Sequence, residues 1–450
     1  MALGELLGRV RGPRRIEGLR RLSGGASRET WAFDAVDPDG VVEALVLQRE
    51  RPGAVRTGAA MDDEAALLRA AADAAVPVAE LVAASGDEIA VGIDLGAPYL
   101  VAARLDGETI PRRILRDDRF AGARRVLTAD CVRALAAIHR IPIDAVPGLE
   151  QPDPVDRLVE VIDAIGQPSA AFELGLRALQ AGRPPAGRTT VVHGDFRNGN
   201  LIVGPEGLRA VLDWELAHRG DPLEDLGWLC VRAWRFGAQA PVGGFGEIKE
   251  LLALYEEASG HRIDPAALAW WQALGTLRWG VICLMQAETH RSGAARSVEL
   301  AAIGRRVCES EHDFMELLFP PDDPAAPPPA AVGGDRTGVG LHGVPTAAEL
   351  VEAVSEFLAT DVAGEVDGRV AFHVRVAVNA LGIVQRELAS GPAQEAAHRR
   401  RLDQLGLADD AALAGAIRAG DLDARRDEII DAVRHAVHDK LAVANPGYAN

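Results

Sequence analysis

Residues 191–203, VVHGDFRNGNLIV, place polar side chains between two apolar ends. Asp195 and Asn200 lie in this stretch, and Asp213 follows at the end of the next apolar run, RAVLD. Phosphoryl transfer needs a group that orients the attacking hydroxyl and hard oxygen ligands that hold Mg²⁺ on the phosphates. The spacing therefore predicts that Asp195 accepts the hydroxyl proton and that Asn200 and Asp213 hold Mg²⁺.

Short apolar runs flank this polar stretch on both sides. The run TTVVHGD precedes it, and LIV and LRAVLDW follow it, which predicts a hairpin set among helices. Helical patterns predominate over 151–182 and 245–319. We expect the buried apolar runs to fix the polar turn to a rigid frame, so that the catalytic side chains keep their positions.

The N-terminal segment predicts a small sheet with one main helix. The stretch IEGLRRLSGGASRETWAFDAV predicts two strands around a glycine turn, and VVEALVLQRE predicts a third strand with β-branched enrichment. MDDEAALLRAAADAA has helical spacing and acidic residues in its first turn, where the helix dipole favours them. Two more strands are predicted before residue 105.

The last quarter of the chain has a different composition. Residues 319–344 are rich in Pro, Gly and Ala, which predicts a linker. Thr346 and Glu349 follow with the spacing of a helix-capping box, and four or five helices are predicted after it. The predicted parts are an N-lobe at 1–105, a C-lobe at 106–318, the linker at 319–344 and a helical domain at 345–450.

Bulk composition limits the classes of partner. The 450 residues carry a formal net charge of −18, which argues against a nucleic-acid partner. The four cysteines have no paired spacing, which argues against a disulfide framework or a zinc knuckle. No apolar stretch is long enough for a bilayer, and the first residues lack the apolar core of a signal peptide. We therefore expect a cytoplasmic protein with no membrane partner.

The stretches HGDFRNGN and VLDWE resemble the aminoglycoside phosphotransferase-like kinases, bilobal relatives of protein kinases that phosphorylate small-molecule hydroxyls. The resemblance implies an α+β protein-kinase-like fold, with an antiparallel N-lobe sheet plus helix and a mainly helical C-lobe, here followed by an all-α C-terminal domain. It extends to GDPLEDLGWL, where it implies that Asp221 and Asp225 brace the catalytic loop. It also implies that His193 is a structural strut and not a general base.

The stretch LSGGASRET, residues 22–30, lies where the phosphate-covering loop of this family belongs. A glycine turn between strands lets backbone N–H groups approach phosphate oxygens closely. A plain hairpin turn with a solvated tip is the alternative interpretation. The nucleotide-binding residues expected here are Ser23, Gly24, Gly25, Ser27 and Arg28.

One expected feature of a kinase N-lobe is missing. Kinases place a lysine on the third strand, paired with a helix glutamate, to hold the phosphates, but the only lysines here are Lys249 and Lys440. Gln48 stands at the usual cationic position and Arg49 follows it, and strand alternation points these two side chains to opposite faces. We expect Arg49 to hold phosphate with Glu64 as its helix partner, the alternative being a surface residue at a strand edge.

Three further residues are assigned by their position relative to the family pattern. Arg197 would reach the transferred phosphate, with a solvated loop charge as the alternative. Glu215 would contact a second metal ion or cap the next turn. Ala102, in YLVAARL, lies where the hinge between the lobes is expected and would present backbone groups to a purine, although strand pairing alone would also explain this stretch.

The sequence thus predicts transfer of the γ-phosphoryl group of ATP to a small-molecule hydroxyl, with Mg²⁺ as cofactor and GTP not excluded as donor. Related kinase domains occur fused to, or near, acyl-CoA dehydrogenases, so a hydroxyacyl thioester is one acceptor class, and an antibiotic is another. The missing lysine leaves two alternatives: a catalytically impaired pseudokinase that binds nucleotide or a partner, and a slow phosphohydrolase. Homo-oligomer formation through residues 345–450 is a further expectation.

Overall fold

A computed structural model describes residues 2–22, 28–51, 60–320 and 345–449 of the chain. The chain divides into two compact units, each made of two segments. The first unit consists of Met1–Pro152 and Pro184–Gln272, and the second of Asp153–Arg183 and Ala273–Asn450. The second unit thus combines the C-terminal helices with parts of the predicted C-lobe, and the domain boundaries named above stay predictions.

The strands of the described residues pair antiparallel and form three sheets. Their bounds are β1 Arg15–Arg21, β2 Arg28–Val36, β3 Val42–Glu50, β4 Leu81–Ala84, β5 Tyr99–Ala103, β6 Thr190–Val192, β7 Leu201–Gly204, β8 Gly207–Val211 and β9 His218–Gly220. The first sheet has the order β1-β2-β3-β5-β4, while β6 pairs with β9 and β7 pairs with β8.

Helices make up most of the remaining described residues. The α-helices are α1 Ala2–Arg11, α2 Met61–Asp73, α3 Pro111–Arg116, α4 Ala121–Arg124, α5 Leu127–Ile138, α6 Pro154–Ile165, α7 Ala170–Ala181, α8 Leu223–Leu229, α9 Ile248–Ser259, α10 Pro265–Arg291, α11 Val298–Gly304, α12 Val307–Leu318, α13 Ala347–Phe357, α14 Gly368–Leu405, α15 Asp410–Ala419 and α16 Arg426–Ala444. Within the described part of the chain, none of them combines the length and the apolar character that crossing a membrane requires.

Helix α1 covers one face of the five-stranded sheet. Its Leu6 and Leu7 are fully buried and belong to one apolar cluster with Phe33 of β2 and Leu45 of β3. The sequence patterns do not predict this helix, because its short apolar stripe gains a partner only when the sheet has formed.

Helix α2 covers the opposite face of the same sheet. Met61 and Ala65 of α2 pack with Leu100 of β5. The residues on either side of Leu100, Tyr99 and Val101, belong instead to the apolar cluster that contains α1. Since side chains alternate along a strand, each strand residue points either to the α1 face or to the α2 face. The predicted N-lobe, an antiparallel sheet with a main helix, is confirmed, with α1 added.

The apolar runs around the polar turn form two separate ladders. The predicted hairpin is β7 with β8, in which Leu201 pairs with Val211. Strand β6, which leads into the polar turn, is not part of that hairpin, because Val192 pairs with His218 of β9. The polar turn is therefore held by a different strand pair at each end.

Ion pairs connect the C-terminal helices to α6 and α7 within the second unit. Arg418 of α15 contacts Glu173 of α7 at 2.6 Å and Asp163 of α6 at 2.8 Å. Arg177 of α7 contacts Asp423 at 2.5 Å and 2.8 Å, a two-pronged arrangement that an arginine fork favours. The predicted all-α character of the C-terminal region is confirmed, and the predicted capping box of Thr346 is present at α13.

Glycine at position 227 allows close packing of α8, and its replacement supplies a test of the fold. A Cβ at Gly227 would lie 2.7 Å from the carbonyl carbon of Trp271 and 2.8 Å from the backbone nitrogen of Gln272. Because backbone atoms cannot move aside cheaply, Gly227→Ala is expected to destabilise the protein by about 1–3 kcal/mol and to lower Tm in calorimetry.

Gly8→Ala is the matched control for this prediction. Gly8 also lies in a helix of the first unit, but a Cβ there would have no atom within 4 Å. We expect its Tm to stay unchanged or to rise, since alanine favours a helix over glycine by up to ~1 kcal/mol. Equal Tm changes in the two variants would contradict the packing assigned to Gly227.

Candidate active site

Three donors hold the carboxylate of Asp195 in the polar turn. The indole N–H of Trp228 donates to Oδ1 at 2.8 Å, the side-chain amide of Asn200 donates to Oδ2 at 2.6 Å, and Nε of Arg197 donates to Oδ1 at 3.0 Å. Asp195 itself is only 9% exposed. The structure therefore brings together Asp195, Asn200 and Arg197, and it fixes the direction in which the carboxylate points.

Trp228 is a residue of this site that the sequence reasoning missed. It lies on α8 three positions after Asp225, and residues three apart share one face of a helix. A tryptophan at this spacing from a bracing aspartate was the available signal, since an indole N–H that is buried usually has a hydrogen-bond acceptor.

Asp225 holds the backbone of the same turn. Its carboxylate is fully buried and accepts the backbone N–H of His193 at 2.8 Å and that of Gly194 at 2.9 Å. Burial opposes ionisation of this carboxyl, but the hydrogen bond from His139 and the nearby His193 keep its pKa below its usual range. Two successive N–H groups aimed at one carboxylate give the loop a single conformation.

Two buried side chains, His139 and Tyr255, form a hydrogen-bonded chain that ends at Asp225. Nε2 of His139 lies 3.1 Å from Oδ2 of Asp225, and Nδ1 lies 2.7 Å from the hydroxyl of Tyr255. Both ring nitrogens of His139 thus have a hydrogen-bond partner. Burial raises the pKa of Tyr255 to about 12, which keeps this hydroxyl a donor.

His193 connects the turn to the strand end that carries Asp213. Nδ1 accepts the backbone N–H of Asp195 at 3.2 Å, and Nε2 lies 3.0 Å from the carbonyl of Leu212. The ring is fully buried, and this burial lowers its pKa and favours the neutral form. Both nitrogens are thereby used in bridging two backbone segments.

Asp213 has an unusual backbone and an unusual environment. Its φ is 66°, in the left-handed region, which costs a non-glycine residue of order 1–3 kcal/mol. Desolvation by the surrounding protein, then the charges of Glu215 and Asp195, raise the pKa of its carboxyl group to about 7. This excess of negative charge is the environment that a bound cation would neutralise.

Asn200 and Asp213 carry side-chain oxygens of the kind that Mg²⁺ prefers as ligands. Among the described residues, no group of three or more His, Cys, Asp or Glu side chains is arranged to hold a metal ion. Mg²⁺ does not require such a group, because it commonly binds through one or two protein oxygens together with waters and substrate phosphates. One carboxamide, one carboxylate and the neighbouring negative charge meet that requirement.

Glu64 pairs with Arg28, so the predicted pairing with Arg49 is wrong. Arg28 contacts Glu64 of α2 and lies 3.4 Å from Glu215, which it reaches through Nε. Arg49 instead contacts Glu29 at 2.7 Å, because the strand register places those two residues opposite each other. The structure thus brings Arg28, Glu64 and Glu215 together beside Asp213, and it leaves Arg49 with a different partner.

The remaining predicted residues lie apart from these contacts. Asp221 accepts the N–H of Leu223 at 2.9 Å at the start of α8, whereas Asp225 accepts from the backbone of the polar turn. Ala102 lies in β5 and pairs with Val46 of β3, which is the strand-pairing alternative, and its hinge role stays a prediction. The predicted Ser23, Gly24, Gly25 and Ser27 lie outside the described residues.

Comparison with protein families shows to which family the chain belongs. A model described as the phosphotransferase enzyme family matches residues 18–271, which is more than half of the chain. The chain belongs to the phosphotransferase enzyme family. The match contains the polar turn, Asp213 and α8, and the predicted family resemblance is confirmed. Residues 364–448 of this phosphotransferase match a second family, described as a domain of unknown function, DUF6285.

Two curated relatives are similar to this phosphotransferase over only part of their own length. A Mus musculus protein, acyl-CoA dehydrogenase family member 10, is 31% identical over 223 residues, which cover 46% of this chain and 20% of the relative. A Gallus gallus protein, acyl-CoA dehydrogenase family member 11, is 28% identical over 151 residues, which cover 30% of this chain and 18% of the relative. The match thus spans about a fifth of each relative.

A solved structure supports the fold class. A candidate aminoglycoside phosphotransferase from Ralstonia eutropha JMP134 is 22% identical, with a TM-score of 0.55, and the match covers 70% of this chain and 97% of that one. This likeness concerns the fold alone. The predicted protein-kinase-like fold of the phosphotransferase is confirmed.

The two aspartates at α8 give opposite predictions for the same substitution. Asp225 has a lowered pKa, so its contribution to stability is present above its usual pKa and is lost only in acid. Asp225→Asn is therefore expected to destabilise the protein at pH 8, on the order of 1–3 kcal/mol, because the single oxygen of asparagine cannot accept from all the buried donors that the carboxylate serves.

Asp221→Asn is the matched control. Burial raises the pKa of Asp221, so its contribution is present below its usual pKa and is lost as the pH rises. An asparagine oxygen still accepts the N–H of Leu223, and we expect Tm at pH 8 to be unchanged or higher. A similar Tm loss in both variants would contradict the role assigned to Asp225.

Proposed function

We propose that this phosphotransferase moves the γ-phosphoryl group of ATP to a hydroxyl of a small molecule. The observation that carries the proposal is the buried Asp195 carboxylate, which three donors, one of them the side-chain amide of Asn200, hold in one orientation. Family membership supplies the reaction class, and this geometry supplies a group that orients a hydroxyl and oxygens that suit a metal ion.

Asp195 orients the acceptor in the proposed reaction. An ionised carboxylate offers about four lone-pair sites, so it can accept the acceptor O–H in addition to its present donors. The acceptor oxygen attacks the γ-phosphorus, the bond to the β,γ-bridging oxygen breaks, and ADP leaves with that electron pair. Asp195 takes the hydroxyl proton. Trp228 and Asn200 keep the carboxylate in one orientation throughout.

Asn200 and Asp213 would hold Mg²⁺. When bound, the ion neutralises charge on the phosphates and fixes their position. The bond from Asn200 Nδ2 to Asp195 leaves the carboxamide oxygen as the ligand atom. The left-handed backbone of Asp213 is the kind of strain that persists where a precise side-chain direction is needed.

Arg197 is proposed to stabilise the transferred phosphoryl group. Its guanidinium lies over the ring of Trp234 at 4.5 Å, and its Nε donates to Asp195. A stacked and ion-paired arginine is already ordered before substrate binds, which lowers the entropy cost of contacting the phosphoryl oxygens. The expected roles of residues 23–27 as a phosphate-covering loop stay predictions.

The acceptor is proposed to be a hydroxyacyl thioester, with an antibiotic hydroxyl as the second candidate. The first choice follows from the two curated relatives, which are named for acyl-CoA dehydrogenases. A panel of hydroxyacyl-CoA thioesters and hydroxylated antibiotics, screened for ATP-dependent phosphorylation by mass spectrometry, distinguishes the two classes. Cytoplasmic location and homo-oligomer formation through 345–450 stay predictions.

Asp195→Asn tests the catalytic role. The variant keeps the size of the side chain but cannot take the hydroxyl proton, so we expect kcat to fall about 10²–10⁴-fold, the range for a general base, while Mg·ATP affinity stays near the parent value. Product formation and calorimetric ATP titration measure the two quantities. Turnover equal to that of the parent would contradict the role, and absence of ATP binding by the parent would favour an interaction module over an enzyme.

Trp228→Phe is the graded companion of that variant. It keeps an aromatic ring next to Trp234 and removes the N–H that donates to Asp195, together with part of the buried indole ring. We expect a smaller loss of kcat, about 10- to 100-fold, as is typical when a supporting hydrogen bond is removed. ATP affinity should not change.

A further inference from the structure

We infer that Arg28, at the first position of β2, is the cation that anchors the nucleotide phosphates of this chain, in place of a third-strand lysine and of Arg49. The inference rests on the proposed function, since it concerns the same nucleotide site. It follows from the faces of the N-lobe sheet, from the partners of the two arginines and from the position of Glu215.

Arg49 lies on the wrong face of the sheet for this task. It stands opposite Glu29 of β2 and opposite Tyr99 of β5. Tyr99 belongs to the apolar cluster of α1, so Arg49 points to the α1 face. There its guanidinium contacts Glu29 at 2.7 Å and donates to the carbonyl of Leu95 at 2.7 Å.

Arg28 lies on the opposite face, with α2. Thr30 stands opposite Gln48, and Gln48 stands opposite Leu100, which packs with α2. Directly paired residues share a face, and so do residues two apart on one strand. Arg28 therefore shares the face of Gln48, the position where a kinase lysine is expected, and from there it reaches Glu64 of α2.

Two carboxylates from different elements hold the Arg28 guanidinium. Its side chain is 11% exposed, and that of Glu64 is 3% exposed, so the pair is almost removed from water. Burial raises the pKa of Glu64, and the charge of Arg28 opposes that effect. Glu215 is the second partner, contacted through Nε of Arg28.

The position of Glu215 supports the assignment of Arg28 to the nucleotide phosphates. Glu215 follows two residues after Asp213, and Arg28 is among the charges that act on the Asp213 carboxyl. A guanidinium has five N–H donors in a planar fork, so it can keep a carboxylate partner and still donate to phosphate oxygens. The arrangement restores the cation–glutamate pair of the N-lobe with an arginine from β2.

Binding measurements with three nucleotides test the inference. Calorimetric titration of the full chain uses Mg·ATP, ADP and adenosine as probes. Arg28→Ala is expected to weaken ATP and ADP binding at least tenfold and to leave adenosine binding unchanged, because adenosine has no phosphate. Arg49→Ala should keep the parent affinity for all three. Gln48→Lys added to Arg28→Ala should recover most of the ATP affinity, since it places a cation on the same face.

Two results would overturn the inference while leaving the proposed function intact. One is parent-like ATP affinity in Arg28→Ala combined with a loss in Arg49→Ala. The other is an equal loss of ATP and adenosine affinity in Arg28→Ala, which indicates a structural role. Failure of the parent chain to bind ATP would instead contradict the proposed function itself. If Arg28→Ala does not fold, Arg28→Gln is measured in its place, with the same expectation.

Discussion

One fully buried carboxylate, that of Asp225, controls the geometry of the candidate active site. It accepts the backbone N–H groups of His193 and Gly194, the two residues that precede Asp195. A buried charge is costly unless it is hydrogen-bonded on several sides, and here His139 supplies the third contact. Because the carboxylate needs these donors as much as the loop needs an acceptor, neither can change conformation alone.

Helix α8 extends this constraint from the backbone to the side chain of Asp195. Asp225 and Trp228 lie three residues apart on it, and they fix the turn and the Asp195 carboxylate respectively. The close approach of α8 to α10, which Gly227 permits, keeps the helix in place. A seven-residue helix thus determines where the carboxylate points, which is the property that a hydroxyl-orienting group needs.

The sequence predicts the local chemistry better than the long-range partners. The spacing of Asp195, Asn200 and Asp213 indicates a candidate site because all three residues lie in or beside one turn and one hairpin. The predicted partner of Glu64, Arg49, is wrong, because the choice between Arg28 and Arg49 depends on the face of the sheet to which each side chain points. Strand alternation predicts that the side chains of Gln48 and Arg49 point to opposite faces of the sheet. Only the packing of α1 and α2 determines which side chain points to which face.

Pairings between distant segments explain the other differences. Strand β6 pairs with β9 through residues 26 positions apart, Val192 and His218, and no local pattern specifies that register. Trp228 can be recognised from the sequence only through its spacing from Asp225, because a buried tryptophan by itself indicates packing. By contrast, the family motif indicated the fold class because it contains the short-range turns around which the kinase-like lobes are built.

Amide hydrogen exchange at the catalytic turn tests the central claim most directly. If Asp225 holds the turn, the amides of His193 and Gly194 exchange slowly in the parent chain. In Asp225→Asn they should exchange about a hundredfold faster or more, while the β7–β8 amides keep their protection. Fast exchange of both amides in the parent, or equal protection in parent and variant, would contradict the account.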